Sequence, residues 1–371
     1  MTQHCTPDEA AALVHSVDSL AMPLGPGQPP AFLEALGRRS DWEELRIGGA
    51  LLSVLTDLFS HPNVHYLSGF FGPLERLLVV EVGPAFPRTY GVGDHVHSVH
   101  LDEIDVLIES EKEPIVIDDP PPSDTDRAIA EHVRSFVPDG ATLQTGIGAV
   151  PSVVASLLAE GDGGGYGVHS EMFTTGLMQL HRAGKVTNQK GTFDGVSVAT
   201  FAGGTRELYE WLHENHEVAF LPVDVVNSPE AIGSNRAMVT INAAMSVDIH
   251  GQVIADTIHA VQYSGIGGHE DFVSGPALDL EDRSLLCLPS TLTRGDEIHS
   301  RIVPWFDAGA VITTPRHQVD VIVTEYGAAE LQGKTVHQRG EALAAIAHPA
   351  FREGLREAAE RASHGRSPFP S

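Results

Sequence analysis

The chain is poor in three things. Cysteine occurs twice in 371 residues, as Cys5 and Cys287. Two thiols make neither a disulfide framework nor a cysteine zinc site, and a reducing cytoplasm is the expected compartment. Long apolar runs are missing, so no bilayer span is expected. Residues 1–9 hold no basic segment followed by an apolar one, and no secretory leader is expected there. Basic residues are scarce: 23 Lys and Arg stand against 50 Asp and Glu, a net charge of −27. That balance argues against nucleic-acid and anionic-membrane partners, which want basic stripes. It bears on solubility more than on fold, and it leaves room for a small anionic ligand held at a helix N-terminus. Metal-ligand spacing is also missing among the 20 histidines, so no metal is expected. His181, His213 and His216 are expected at the surface.

What is present reads as a globular α/β protein. Apolar residues make up 42% and charged residues 20%, and the length suits two domains with a substantial core. Residues 41–45 followed by 51–55 suggest a helix, or a helix and a strand, near a surface. Short β-branched runs at 77–82, 105–108, 114–117, 218–223, 253–255, 285–288, 311–313 and 319–323 read as buried strands. The proline-rich run 118–123 reads as a linker. A helix is expected over 124–136, capped by Asp124 or Thr125. A strand over 141–146 follows, then a helix opened by Pro151. Residues 341–362 read as helical with a break at Pro349, and 365–371 as a loose tail. Strand, glycine loop and helix in alternation indicate a largely parallel sheet, whose ligands sit beyond the carboxyl ends of the strands. The expected domains are 1–195 and 196–371, each an open-sheet α/β unit.

Three segments could carry chemistry. Gly146-Ile147-Gly148 lies between a strand and a helix, where bare backbone N–H groups can face an anion. It lacks the third glycine of a dinucleotide fingerprint and the Gly-Lys-Ser/Thr end of a phosphate loop. A plain tight turn is the competing reading. Gly265-Ile266-Gly267-Gly268 has three glycines in four residues, which suits close backbone approach to a ligand; a bulged hairpin is the alternative. Between them stands Glu171, at the end of a strand-like 166–169. It is either a nucleophile or base beside the glycine loops, or a surface glutamate opening a helix over 172–180. Ser170 and His169 are sequence neighbours on a strand, point to opposite faces, and make no triad.

Several longer motifs carry a resemblance. They are Leu-Gln-Thr-Gly-Ile-Gly-Ala-Val-Pro at 143–151, Gly-Val-His-Ser-Glu-Met at 167–172 and Val-Asn-Ser-Pro-Glu-Ala-Ile at 226–232. The segments 242–251 and 265–272, Ser-Arg-Ile-Val-Pro at 300–304, Val-Thr-Glu-Tyr-Gly at 323–327 and Ile-Ala-His-Pro at 346–349 complete the set. In this order they resemble the acetyl-CoA hydrolase/transferase group of family I CoA-transferases. The resemblance implies two similar open-sheet domains with the active site between them. It implies that Glu171 is a covalent nucleophile, that backbone N–H groups of Ile147 and Gly265 hold an oxyanion, and that Gly265, Ile266, Gly267 and Gly268 lie against CoA. Gly146 and Gly148 flank the first donor, and Asn227 matches an asparagine near the acyl site. The implied reaction moves CoA from an acyl-CoA to a small acetate-type carboxylic acid. Coenzyme A is then a substrate, with no permanently bound cofactor. An acyl-CoA hydrolase and a non-catalytic acyl-CoA-binding relic are the alternatives. A homodimer is expected from the prevalence of two-fold oligomers. Two departures stand out. Ser246 occupies a position where the family often has glutamate, and a family segment is missing between 70–76 and 77–82, so the first domain is expected to be shortened.

Overall fold

Strands paired in parallel and helices with polar caps gather the chain into two units, Met1–Asp118 with Phe201–Pro222, and Asp119–Thr200 with Val223–Ser371. The computed structural model describes residues 3–23, 27–49, 56–68, 79–95, 100–118, 120–146, 148–258, 261–278 and 280–363. The expected linker 118–123 coincides with the first crossing. The other crossings differ from a simple division at 195/196, because residues 201–222 return to the first unit. Long-range bonds hold them there: Ile117 N–H donates to Gly204 O at 2.9 Å, Phe220 N–H donates to Tyr90 O at 2.7 Å, and Arg206 pairs with Glu113.

The first unit contains two three-stranded parallel sheets. One orders Val17–Ala21, Glu44–Gly49 and Val64–Ser68; the other places Val106–Glu109 between Gln3–Cys5 and Val79–Val82. Glu44–Gly49 corrects the surface helix expected near 41–45. Leu45 and Ile47 are fully buried while Arg46 between them is exposed, the period-two alternation of a strand. Trp42 is buried under the Arg39 guanidinium, 4.0 Å from its ring. Residues 51–55, 70–76 and 77–78 lie outside the described residues. Residues 114–117 form no strand and are tied down by the Ile117 bond instead.

The second unit is built on a six-stranded sheet in the order Gly327–Glu330, Val321–Thr324, Arg283–Cys287, Met238–Ala243, Thr142–Thr145, Gly167–Val168. Every neighbouring pair is parallel except the hairpin Val321–Thr324/Gly327–Glu330 at one edge. The chain lays down Thr142–Thr145, steps outward to Gly167–Val168, then crosses back to Met238–Ala243 and continues the other way. In open parallel sheets this reversal leaves a crevice beyond the carboxyl ends of the two strands that flank it. Gly146 ends one of them, and Ala243 the other.

Capping chemistry corrects several helix boundaries. The helix Asp124–Arg134 is capped by Ser123, whose side chain and that of Asp126 satisfy each other's backbone N–H groups. Ser123 thus displaces Asp124 and Thr125 as the cap. Ala149–Glu160 starts from Gly148, which makes Pro151 its third residue. That position still lies in the first turn, where a missing N–H has no intrahelical partner to lose. Residues 311–313 form no strand; Thr313 N–H and Thr314 N–H both donate to Val253 O. The C-terminal region consists of Val336–Ile346, a short 3-10 turn Pro349–Phe351 and Arg352–Ser363. Residues 364–371 lie outside the described residues.

Candidate active site

Gly167–Val168 pairs with Thr142–Thr145, and the extended chain continues past it: His169 N–H donates to Leu143 O and Ser170 N–H to Val198 O, each at 3.1 Å. Ser170 Oγ donates to Thr145 O at 3.4 Å and to Met172 O at 2.8 Å. This pins Glu171 beside the carboxyl end of Thr142–Thr145. Residues Met172–Thr174 are strand, and the next helix begins only at Thr175, capped by Thr174. Glu171 is therefore not a first-turn surface glutamate.

Its carboxylate is partly buried and bonded. Asn227 Nδ2 donates to Glu171 Oε2 at 3.2 Å. Burial pushes the Glu171 carboxyl above its ordinary range; the Asn227 bond and the Gly268 backbone N–H pull it down, and the Asp271 charge pushes it up again. Gly268 is buried and caps the helix His269–Ser274. A Cβ added there would overlap both Glu171 Oε2 and Asn227 Nδ2, so glycine is what lets this backbone close over the carboxylate.

Asn227 is 6% exposed. It lies between the turn Val223–Val226 and the Ser228-capped helix Pro229–Gly233. Its N–H donates to Val223 O at 2.8 Å, and the preceding Val226 O is 2.8 Å from His169 Nε2. A carbonyl can only accept, so that nitrogen carries the hydrogen. Burial holds His169 neutral, its pKa lowered to about 4. The ring also meets Phe272 edge-on at 6.3 Å between centroids. His169 is thus a strut beneath Glu171 and Asn227.

The remaining expected site residues are placed as follows. Gly146 N–H donates to Ile241 O at 3.2 Å across the sheet reversal. Gly148 has φ +118° and ψ 176°, a backbone conformation that suits glycine. Ile147 lies outside the described residues. Gly265, Ile266 and Gly267 are exposed and lead into Gly268; the hairpin in this region is Thr257–Ile258/Val261–Gln262, ahead of the glycines. Ser246 Oγ donates to Arg301 O at 2.8 Å. Asp271 was not singled out from the sequence, yet its carboxylate also accepts from Asn227 Nδ2, at 3.2 Å. The signal was its place one turn into a helix that begins at the glycine loop.

The expectation of a surface His181 is corrected. Its Nε2 lies 2.8 Å from Ser197 Oγ, and burial lowers its pKa to about 4. His269 is lowered to about 4 by burial as well. His213 and His216 are exposed. These depressed histidines set a pH dependence. Between about pH 6.5 and 4 the unfolded chain binds protons that the folded one refuses, so their contribution is fully present above 6.5 and is lost as pH falls toward 4. Raised carboxyls such as Glu171 and Asp271 act with the opposite sign. Three histidines with large shifts outweigh them, and the urea midpoint is expected to fall between pH 6.5 and 4. Equilibrium unfolding across that range checks this; a midpoint that rises on acidification contradicts it.

Comparison with known proteins gives matches at three levels. The model of the acetyl-CoA hydrolase/transferase C-terminal domain matches residues 204–359. The 4-hydroxybutyrate coenzyme A transferase of Clostridium kluyveri is 42% identical over 281 residues, which is 76% of this chain but only 64% of that protein. The match thus spans less than two thirds of that relative's length. The succinyl-CoA:cyclohexane-1-carboxylate CoA transferase of Geobacter metallireducens is 34% identical over 423 residues, covering 96% of this chain and 95% of the relative. That alignment is longer than the 371 residues of the chain, so the relative carries residues with no counterpart here. Among solved structures, RipA from Yersinia pestis superposes with a TM-score of 0.85 at 29% identity, covering 97% of this chain and 98% of its own.

Proposed function

Because the chain belongs to the acetyl-CoA hydrolase/transferase family, we propose that it is a CoA-transferase that moves CoA from an acyl-CoA to a small carboxylate. The observation that carries this reading is the Glu171 carboxylate held under Gly268 and against Asn227 at the reversal of a parallel sheet. Such a carboxylate is desolvated enough to be a usable nucleophile, and it is held in one place by bonds that favour its anion.

The steps follow from that placement. Glu171 attacks the thioester carbonyl, and the tetrahedral oxyanion is held by backbone N–H groups, for which Ile147 and Gly265 are the candidates. One such donor is typically worth about 10²–10³ in rate. The C–S bond breaks, CoA leaves as thiolate, and an acyl-glutamyl anhydride remains. Thiolate then attacks the glutamyl carbonyl; the C–O bond to the first acid breaks, and that acid departs as carboxylate. The resulting glutamyl-CoA thioester reacts with the acceptor carboxylate through the same steps in reverse. A carboxylate is a weak nucleophile, so positioning and the remote contacts of CoA supply much of the acceleration.

Coenzyme A is a substrate in this scheme, the acids are small and acetate-like, and the working form is a homodimer in a cytoplasmic setting. Among the described residues no helix is long and apolar enough to cross a membrane. Incubation with acetyl-CoA and a panel of carboxylates, with thioester loss counted in parallel, tests the proposal. New acyl-CoA formed faster than free CoA supports it. Thioester loss without a new acyl-CoA makes the protein a hydrolase, and neither product makes it a binding relic.

A further inference from the structure

Four contacts among three short segments close a ring that includes Glu171. His169 bonds Val226 O, Asn227 bonds Glu171, Asn227 bonds Asp271, and Phe272 packs on His169. Within this ring the Asn227 amide is held from one side only. Both carboxylate bonds use Nδ2, and Asn227 Oδ1 is buried with no hydrogen-bond partner among the described residues. The two carboxylate oxygens are no farther apart than twice 3.2 Å, since each lies 3.2 Å from the same nitrogen.

We propose that Asp271 is a positioning residue for the covalent step, which holds the Asn227 amide and sets a second negative charge against Glu171. The inference rests on the CoA-transferase reading. Glu171 is an anion before attack and becomes a neutral anhydride or thioester afterwards. Formation of either covalent state therefore removes one of two facing like charges, and Asp271 favours the covalent states over the free carboxylate. Glu171 also ceases to be an anionic acceptor when it is acylated. Asp271 is then the one charged partner left on Nδ2, and it keeps the amide aimed at the glutamyl carbonyl while thiolate or acceptor arrives. The Asp271 charge raises the Glu171 carboxyl in the free protein, behind the larger effect of burial, and burial raises Asp271 itself against the Asn227 bond. Other titratable groups on the elements around Asp271 include His169, kept neutral by burial, His269 and Glu270, which both engage Thr314, Glu230 on the helix Pro229–Gly233, and Arg283, which pairs with Asp320 and Glu330.

The test is the fraction of the Glu171 peptide that carries CoA after incubation with acyl-CoA and no acceptor, together with steady-state kinetics. Asp271→Asn keeps the shape and removes the charge. It is expected to lower the adduct fraction and kcat by about 10²-fold, as expected for one facing charge at this separation near a protein surface, with KM for acyl-CoA within about twofold. Asp271→Glu retains the charge and is expected to keep most of the adduct; it also serves if Asp271→Asn does not fold. Equal adduct in wild type and Asp271→Asn overturns this inference alone, as does loss of adduct in Asp271→Glu equal to that in Asp271→Asn. No adduct in the wild type overturns the CoA-transferase reading and this inference with it.

Discussion

Glu171→Ala removes CoA transfer, with kcat/KM lower by about 10⁴–10⁶, the scale on which loss of a covalent nucleophile is felt. The folded protein tolerates the change. The carboxylate is a desolvated anion that faces Asp271, and its removal relieves both conditions while Asn227 keeps its bond to Asp271. The melting temperature is therefore expected to stay level or rise slightly. Such a trade of activity against stability is common where a site holds a group in an unfavourable setting. Rates with acetyl-CoA and a carboxylate acceptor, beside a thermal melt, measure both. A variant that turns over at the wild-type rate removes Glu171 from the mechanism.

Gly268→Ala is the second large effect, and it replaces no ionisable group. Gly268 sits at φ −81° and ψ 13°, a bridge conformation that non-glycine residues adopt in turns, so alanine meets no positive-φ penalty there. The methyl group collides instead with Glu171 Oε2 and Asn227 Nδ2. The carboxylate must move by about 1 Å, and a displacement of that size can cost about 10² in rate. Gly267 is the control. Its φ is +56° and a Cβ there meets nothing within 4 Å, so Gly267→Ala is expected to cost about 1–2 kcal/mol of stability and leave Glu171 in place. Activity loss in Gly268→Ala with a normal melt, and a lowered melt in Gly267→Ala with a smaller loss of activity, is the expected pair. The reverse pattern contradicts the account.

The parallel second unit was legible in the sequence because its strands are short apolar runs bounded by glycine and polar caps. Thr142–Thr145 and Val321–Thr324 read that way, as did the C-terminal helices on either side of Pro349. The order of those strands was not, since lateral position is set by pairing between residues about a hundred apart, such as Leu143 with Val239. Glu171 shows the limit of local reasoning. Its spacing from Met172 onward fitted a helix start, and only the bonds of Ser170 and Thr200 to neighbouring strands keep it extended. Residues 41–45 failed for a related reason: the alternation of Leu45 and Ile47 is too short to exclude a helix until the flanking strands bury both. The motifs led to Asn227 and the glycine loop, and the structure sets Gly268 and Asp271 against Glu171 and Asn227. Which glycine of 265–268 meets the carboxylate depends on where the loop turns, and composition alone does not tell them apart.

The central claim is that Glu171 becomes covalently bonded to CoA. It is tested most directly by mass spectrometry of the peptide that contains Glu171, after brief incubation with acyl-CoA in the absence of an acceptor acid. The account predicts a mass increase of one CoA in thioester linkage on Glu171, discharged when a small carboxylate is added. Turnover with an unmodified Glu171 peptide, or CoA found on another residue, would contradict it.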